Sequence, residues 1–360
     1  QDPYAYRNKV MSPFAPGAPR KAAPSKRGGG KRPSRPASPQ RDILCGMYAA
    51  GTHRIIDTGE CLIENAQAKQ VIRAVRSLML KFGIPPYDED RGTGFMRHAV
   101  VRVGHTTGEV LVTLVTNGQQ FPGAKSFCRE LVRRCPFVTT VVQNINERQT
   151  NVVLVLYGPG FILDKLCGLS FRISSQSFYQ VNSVQTEVLY RQAIELAGFT
   201  GAEHAIDAYC GTGTIGLVAA SMGAAQVTGV DCVESSIRDA RQNARHNGVD
   251  NARFAVADAG AFMRDMAAQA AAAGRAGTDE EGRPLVLLMD PPRAGSTEEF
   301  LRAAVQLAPE RIAYISCNPE TQVRDLGFLK QFGYGVRTVQ PVDMFPHTDH
   351  IETIALIERM

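Results

Sequence analysis

The sequence predicts an α/β protein with two domains, a smaller α+β domain followed by a domain built on a largely parallel sheet. Three observations support this. After residue 170, short apolar runs alternate with helical segments, which is typical of a parallel sheet with helices on both faces. The last two apolar runs have no helix between them, so the final strand is expected to run antiparallel. Before residue 170, a hairpin pattern with isolated helices indicates an α+β arrangement.

Positive charge is concentrated at the start of the chain. The 360 residues carry a net charge of +5, yet residues 1–41 hold ten Lys and Arg against one acid. Residues 1–11 are predicted to begin the α+β domain, and residues 12–41 a disordered insertion rich in Pro, Gly and basic residues. We interpret the insertion first as a solvated linker and alternatively as an arm that contacts nucleic-acid phosphates. Because the chain begins with Gln1 rather than Met, we expect a fragment or a processed product.

Residues 42–169 are predicted to form the α+β domain. Apolar residues at helical spacing indicate a helix over Glu64–Phe82, and a shorter helix is expected at Lys125–Arg134. Two β-branched runs, Ala99–Val103 and Glu109–Thr116, are separated by a turn that contains residues 105–108 and predict a hairpin. Further strands are expected at Thr139–Gln143 and Asn151–Tyr157.

Residues 170–360 are predicted to form the α/β domain. Its expected strands are Ala205–Tyr209, Gln226–Asp231, Arg253–Ala257, Leu285–Met289, Arg311–Ser316, Gly335–Val342 and Ile351–Glu358. Its expected helices are Gly213–Ser221, Glu234–Asn247, Ala259–Ala272, Thr297–Leu307 and Glu320–Phe332.

Composition excludes several classes of protein. With 44% hydrophobic and 21% charged residues the chain is typical of a globular protein. Its apolar runs are far shorter than the roughly 20 residues that span a bilayer, and the first residues lack the apolar core of a signal peptide. Its eight cysteines include no close pair, so neither a disulfide scaffold nor a metal site is indicated. We expect a monomeric cytoplasmic protein without a membrane segment.

A glycine-rich stretch follows the first strand of the α/β domain. Gly211, Gly213 and Gly216 satisfy the pattern G-x-G-x-x-G, which lets a backbone approach a nucleotide closely. This pattern alone does not separate NAD from S-adenosylmethionine. Asp231 ends the next strand, where a carboxylate can bind ribose hydroxyls; the alternative is a helix-capping acid. Asp258 ends the third strand and is a candidate for contact with an adenine edge.

The fourth strand ends in Asp290-Pro291-Pro292. Two prolines fix a rigid loop at the edge of the sheet where open α/β proteins bind ligands. An acid followed by two prolines is the motif with which nucleic-acid methyltransferases hold a base. A dehydrogenase has no evident use for it, so the motif favours S-adenosylmethionine.

Cys317 follows the fifth strand at the same edge. Most single cysteines are small buried hydrophobes, but this position could present a thiol to a bound base. A thiolate added to C6 of uracil makes C5 nucleophilic enough to attack a methyl sulfonium, and a general base must then remove the C5 proton. Glu352, at the start of the last strand, is the candidate base because partial burial raises its basicity. His347 and His350 are competing candidates.

Together these stretches resemble the RNA 5-methyluridine methyltransferases, most closely the bacterial enzymes that act on 23S ribosomal RNA. The resemblance implies a Rossmann-like class I methyltransferase sheet, with Cys317 as nucleophile and Glu352 as proton acceptor. Gln180 matches a family glutamine that contacts the cofactor. Four residues fall at cofactor positions of the family, namely Tyr209, Thr214, Asp231 and Asp258, and Asp290 falls at its motif aspartate near the methionine and the base. Gly211 and Gly213 are cofactor candidates from the glycine pattern.

The sequence departs from this family in three respects. Many relatives begin with an RNA-binding β-barrel, which nothing here can form. Many also hold a four-iron cluster on four cysteines; only Cys61 is matched, so no cluster is expected from this chain alone. Finally, residues 12–41 are expected to lengthen a turn that is short in relatives.

The leading hypothesis is S-adenosylmethionine-dependent methylation of uridine C5, with 23S ribosomal RNA favoured over tRNA as substrate. Base N-methylation is a second possibility, but it leaves Cys317 and Glu352 without roles. A non-catalytic RNA-binding relative is a third, and hydride transfer with NAD ranks last. Residues 170–360 carry a net charge of −7, which is unexpected for an enzyme that binds RNA.

Overall fold

A computed structural model describes residues 2–19, 41–147 and 152–360. The chain divides into two compact units, Asp2–Ile162 and Leu163–Met360. None of the helices in the described part of the chain is long and apolar enough to cross a bilayer.

The first unit is built on a six-stranded sheet with the strand order β2-β1-β5-β6-β7-β8. Only β6 and β7 pair in parallel; the other neighbours are antiparallel, including the predicted β5–β6 hairpin. A separate pair is formed by β3 and β4. The strands are β1 Lys9–Pro19, β2 Arg41–Cys45, β3 Met47–Tyr48, β4 Ile55–Ile56, β5 Met96–Val103, β6 Val110–Thr116, β7 Val138–Ile145 and β8 Val152–Tyr157.

Two helices lie in the described part of the first unit, α1 (Ala66–Phe82) and α2 (Ala124–Arg134). Asn65 begins α1 by accepting bonds from the backbone of its first turn, and Gly83 ends it in a left-handed conformation, as helix ends prefer. The residues of α1 that face the core recur every three or four positions, which is the periodicity that predicted this helix.

The prediction that residues 12–41 are disordered is wrong at both ends of that range. Residues 12–19 continue β1, and Arg41 begins β2; residues 20–40 lie outside the described part of the chain. The strand pairs with β5 up to Pro13 and with β2 from Phe14 onward. A strand with one partner at a time tolerates proline, because the missing N–H can face the open side. Burial of Phe14, which is 1% exposed, also stabilises this segment.

The second unit contains a seven-stranded sheet with the order β13-β12-β11-β14-β15-β17-β16. The first five strands are parallel and β17 is antiparallel to both of its neighbours, which confirms the predicted sheet and its reversed last strand. The seven strands are β11 His204–Ala208, β12 Gln226–Asp231, β13 Ala252–Val256, β14 Leu285–Met289, β15 Arg311–Ser316, β16 Tyr334–Val342 and β17 Glu352–Arg359. A separate two-stranded sheet is formed by β9 Phe161–Leu166 and β10 Leu169–Ser174.

Six helices connect and cover these strands. They are α3 Ser183–Ala197, α4 Thr214–Ser221, α5 Glu234–His246, α6 Ala259–Ala272, α7 Glu298–Leu307 and α8 Pro319–Lys330. Apolar residues of α6, α7 and α8 pack with one face of the sheet in a single core. Because crossovers between parallel strands are right-handed, reversal of the strand order at β11 places α4 and α5 on the other face.

The second unit begins at Leu163, earlier than the predicted boundary at residue 170. The reason is that β10 is tied to α5: the backbone N–H groups of Ser170 and Arg172 donate to the side chains of Asn247 and Asn243, each at 2.8 Å. Its neighbour β9 pairs with β10 and therefore belongs largely to the same unit.

Candidate active site

The carboxyl end of β11 leads into the glycine loop, residues 209–213. Tyr209 opens it with a φ of 67°, which is unusual for an aromatic residue and marks a locally strained backbone. Gly211 has a φ of 53°, and a Cβ atom there would meet no atom within 4 Å, so space lies open in front of its backbone. Gly216 serves packing instead: a Cβ atom would stand 2.8 Å from a carboxylate oxygen of Asp207. Space is therefore open at Gly211 in the loop, whereas the following helix is closely packed against Asp207 at Gly216.

Asp207 anchors the helix that follows the loop. The N–H of Gly216 donates to its Oδ2 at 2.8 Å, while Oδ1 is buried with no hydrogen-bond partner among the described residues. Burial raises the pKa of this carboxyl to about 8. The sequence analysis did not single out Asp207; the signal for it was an acid inside an otherwise apolar strand.

Two further acids lie at the ends of neighbouring strands. Asp231 accepts from the N–H of Gly211 at 3.0 Å and from the N–H of Val233 at 2.8 Å, so it organises the glycine loop. Val233, not Asp231, is the N-cap of α5. Asp258 is exposed and accepts from the N–H of Ala261 at 2.9 Å as the N-cap of α6. Both acids lie at the predicted edge, although capping already accounts for one oxygen of Asp258.

Gln180 and Thr214 are both buried in the second unit. The segment around Gln180 is fixed because Ser177 donates to Asp239 at 2.7 Å and the side chain of Asn182 donates to the Met344 carbonyl at 3.0 Å. Asn182 also caps α3, a helix that the sequence analysis did not predict.

Tyr190 of α3 is a buried residue that the sequence analysis missed. Its hydroxyl lies 3.4 Å from Oγ1 of Thr214, the first residue of α4. Burial raises the pKa of this phenol, and the charges of Asp290, Asp207 and Glu352 raise it further. The phenol therefore lies in the same electrostatic environment as three carboxyl groups at the sheet edge.

Asp290 begins the Asp-Pro-Pro loop, residues 290–296, after β14. Burial raises the pKa of its carboxyl to about 7. Arg293 lies further along the loop, with its Nη2 3.4 Å from Nδ1 of His350. Near neutral pH the Asp290 carboxyl can therefore either donate or accept a hydrogen bond.

Cys317 and Glu352 are brought together by the antiparallel pairing of β15 with β17. Ser316 pairs with Thr353, and continuing this register by one residue places Cys317 opposite Glu352. Cys317 lies one residue beyond the end of β15, and the charge of Glu352 raises the pKa of its thiol, so the two groups lie near each other. The two residues are distant in sequence, and the antiparallel last strand brings them to the same edge of the sheet.

Burial and mutual charge shift the pKa values of both groups. Glu352 is 3% exposed, and its Oε2 has no hydrogen-bond partner in the described part of the chain. Burial, and then the nearby charge of Asp290, raise the pKa of Glu352 to about 8. Burial also raises the pKa of the Cys317 thiol, as do Glu352 and Asp290, whereas Arg293 lowers it. Cys317, Glu352 and Asp290 thus form one electrostatic cluster.

The competing histidines lie outside this cluster of buried groups. His347 and His350 are both exposed, in the loop between β16 and β17. Glu352 is buried opposite the thiol, so the geometry favours it over either histidine as the base.

Cys61 is the single cysteine matched to the family's four cluster cysteines. Around Cys61, the backbone carbonyl accepts from Nζ of Lys69 at 2.8 Å. Within residues 2–19, 41–147 and 152–360, no group of three or more His, Cys, Asp or Glu is arranged to hold a metal ion. These residues do not fit an iron–sulfur cluster.

Comparison with known proteins identifies the family. Residues 164–360 match the family model described as tRNA (uracil-5-)-methyltransferase. An uncharacterized RNA methyltransferase of Halalkalibacterium halodurans is 41% identical, over 99% of this chain and 72% of that protein. One from Staphylococcus aureus is 40% identical over the same shares.

A solved structure agrees with these sequence matches. The tRNA (uracil-54, C5)-methyltransferase of Pyrococcus abyssi, in complex with S-adenosyl-L-homocysteine, is 26% identical. It superposes with a TM-score of 0.73 over 98% of this chain and 76% of that one. These matches confirm the resemblance drawn from the motifs and the class of fold. The chain therefore belongs to the tRNA (uracil-5-)-methyltransferase family and is an RNA methyltransferase.

Proposed function

We propose that this enzyme methylates C5 of a uridine in RNA through a covalent adduct between Cys317 and C6 of the base. The observation that carries the proposal is the placement of a half-buried thiol opposite a buried carboxyl group without a full set of hydrogen bonds, beside Asp290. Base N-methylation would give neither Cys317 nor Glu352 a role.

S-adenosylmethionine, when bound, supplies an electrophilic methyl group. The residues of the second unit fit this cofactor: the backbone at Gly211 faces open space, and Asp207 holds a buried oxygen without a partner. Asp231 has lone pairs to spare for ribose hydroxyls after accepting two backbone N–H groups. The residues proposed to hold the cofactor are Gln180, Tyr209, Gly211, Gly213, Thr214, Asp231, Asp258 and Asp290.

The steps assigned to the chain's own residues balance in bonds and protons. The Cys317 thiol releases its proton to solvent, and the sulfur forms a bond to C6, which places the electron pair of the C5–C6 double bond on C5 and the uracil carbonyl. After C5 has gained the methyl group, Glu352 accepts the C5 proton. The electron pair of that C–H bond restores the double bond as the C6–S bond breaks and the thiolate leaves.

The pKa of Glu352 suits its proposed role. A general base works best when its pKa lies near the operating pH, and that of Glu352 is about 8. Its burial keeps water away, and the uridine must leave its stack to reach it, at a cost of a few kcal/mol.

We propose 23S ribosomal RNA, rather than tRNA, as the substrate. The support is the resemblance of the motifs to the bacterial ribosomal RNA enzymes; the P. abyssi tRNA enzyme is the solved relative that favours the alternative. Mapping 5-methyluridine in both RNAs from a strain that lacks this gene tests the choice. Loss of a tRNA site with 23S ribosomal RNA unchanged would contradict it.

The chemistry is tested with purified protein, transcribed RNA and methyl-labelled S-adenosylmethionine. We expect nucleoside mass spectrometry to find 5-methyluridine, no product from Cys317→Ser, and an RNA adduct of Glu352→Gln that survives denaturing electrophoresis. Cys167→Ser, at a cysteine in the turn between β9 and β10, is the matched control and should keep its activity. An active Cys317→Ser variant, or an N-methylated product, would refute the proposal.

A further inference from the structure

Helix α8 begins directly after Cys317, and its first turns hold the Asp-Pro-Pro loop. Asn318 caps the helix, and its Nδ2 donates to the carbonyl oxygen of Arg293 at 3.2 Å. One turn later, Oγ1 of Thr321 donates to the same carbonyl oxygen at 3.3 Å. The element that carries the thiol therefore also bonds the loop that begins with Asp290.

A buried carboxylate one turn further along α8 makes the strongest of these contacts. Asp325 has a side chain 1% exposed, and its Oδ2 accepts from the N–H of Ser296 at 2.9 Å and from the hydroxyl of Tyr314 at 2.8 Å. Its Oδ1 accepts from Nε and Nη2 of Arg324 at 2.9 and 2.7 Å. Nη2 of Arg324 also donates to the carbonyl oxygens of Ala294 and Ser296, at 3.0 and 3.1 Å.

These contacts leave no room for a side chain at the centre of the loop. Gly295 has a φ of 77°, and a Cβ atom there would stand 2.6 Å from Nη2 of Arg324 and 2.8 Å from Oδ2 of Asp325. The loop backbone lies directly on the ion pair, so the position of the pair determines the position of the loop.

We propose that Asp325, together with Arg324, is a positioning residue that fixes the Asp-Pro-Pro loop relative to the Cys317 thiol. Tyr314 lies three residues before Cys317 on β15, so one carboxylate bonds both the strand that presents the sulfur and the loop that receives the base. The inference rests on the proposed function, because it assumes that this loop holds the target uracil. Asp325 would touch neither RNA nor cofactor.

The expected effect is on the formation of the sulfur–carbon bond. A reacting atom displaced by about 1 Å can lose about 100-fold in rate, and Asp325→Asn is expected to cost roughly 10- to 100-fold. The amide has one acceptor oxygen for four donors that the carboxylate now satisfies, so the Ser296 and Arg324 bonds cannot both persist. Binding of S-adenosylhomocysteine should weaken by a smaller factor than the adduct rate falls, because the bonds from Asp325 and Arg324 reach residues 294–296 of the loop and Asp290 is one of several residues proposed to hold the cofactor.

The test measures the single-turnover rate of adduct formation with RNA that contains 5-fluorouridine. With S-adenosylmethionine present, C5 gains the methyl group and then carries a fluorine that cannot leave as a proton does, so the adduct accumulates and is counted on a denaturing gel. A second variant, Arg324→Lys, keeps the charge but loses the planar fork; its side chain is 57% exposed, so the fold tolerates the change. Dissociation constants for S-adenosylhomocysteine are measured in parallel.

Asp279→Asn is the matched control. The Asp279 side chain is 6% exposed and accepts from the side chain of Arg283 at 2.7 Å, from the N–H of Glu281 at 2.9 Å and from His204 at 3.0 Å. It lies at the opposite edge of the sheet, where β11 begins, so its loss should lower stability without changing the adduct rate.

The possible outcomes distinguish failure of the positioning role from failure of the proposed function. A slower adduct rate in Asp325→Asn and Arg324→Lys that exceeds any loss of S-adenosylhomocysteine binding, with a normal rate in Asp279→Asn, supports the positioning role, whereas a rate loss matched by an equal loss of binding contradicts it. Equal rates in wild type and both variants would overturn it, as would an equal loss in the control. If wild-type protein binds the cofactor product but forms no adduct, the proposed function itself is wrong.

Discussion

Replacing Glu352 by Gln should stabilise the protein increasingly as the pH rises. Burial raises the pKa of this carboxyl from 4.5 to about 8, so in the folded state it holds its proton where the unfolded chain has lost it. The folded state binds more protons over this range, and stability therefore falls as the pH rises from 4.5 to 8. Gln has no charge to bury, so the Glu352→Gln variant does not lose stability in this way as the pH rises.

The magnitude follows from the shift. At about 1.4 kcal/mol per pKa unit, the penalty is about 1 kcal/mol at pH 5.5, about 3 at pH 7 and about 4 at pH 8. The advantage of Glu352→Gln over wild type should thus grow by about 3 kcal/mol between pH 5.5 and pH 8. Any fixed cost of burying an amide is the same at both pH values and cancels from this growth.

The assay is urea unfolding of wild type, Glu352→Gln and Glu352→Asp at pH 5.5, 7 and 8. Glu352→Asp keeps a carboxyl at the same place, so its stability relative to wild type should vary much less with pH. A Glu352→Gln advantage that stays constant from pH 5.5 to 8 would refute the raised pKa and, with it, the argument that this residue is tuned as a base.

The remaining predictions concern rate, backbone strain and cofactor affinity. The single-turnover rate should rise with pH through about 8, because Glu352 and Cys317 both act deprotonated and both have raised pKa values; a flat profile from pH 6 to 9 would contradict this. Gly295→Ala should cost at least about 2 kcal/mol in unfolding free energy, from its positive φ and the contact at 2.6 Å, whereas Gly248→Ala, also at positive φ but with no atom within 4 Å, should cost about 1. Asp231→Ala should weaken S-adenosylhomocysteine binding by about 1–3 kcal/mol in calorimetry, because the Gly211 N–H loses its acceptor; unchanged affinity would remove Asp231 from the cofactor site.

Most of the second unit could be predicted because its pattern is regular. The bounds of β14 and α6 agree with the prediction to the residue, since an apolar run of five and an alanine-rich segment that follows a capping acid leave few alternatives. The reversal of β17 was also predictable, because a parallel partner would have required a crossover helix before it.

The elements that the sequence analysis missed depend on contacts distant in sequence. Helix α3 begins at Ser183, directly after its cap Asn182. Asn182 was interpreted only as part of a motif, although the apolar positions that follow it recur at helical spacing. Residues 12–19 have the composition of a disordered segment, and their strand exists because β2 and β5 offer pairing partners. Composition does not reveal such partners.

The residues of the candidate site also fall into those that could be predicted from the sequence and those that could not. Cys317 and Glu352 could be proposed because each lies at a strand end, where position alone indicates the edge of the sheet. Asp325 and Tyr190 could not, since the first acts through backbone groups of a loop about 30 residues away and the second belongs to an unpredicted helix. A residue that supports a site through packing leaves little local signal.

The placement of β17 between β15 and β16 has a consequence for biosynthesis. The strand made last fills an interior position, so β15 exposes an unpaired edge while the ribosome is still translating β16 and the following loop. Such an edge invites pairing with other chains, and a nascent catalytic sheet is therefore exposed to aggregation until β17 emerges. Because β17 also carries Glu352, its insertion both protects the sheet and completes the site, and we expect no partly synthesised chain to react productively with RNA.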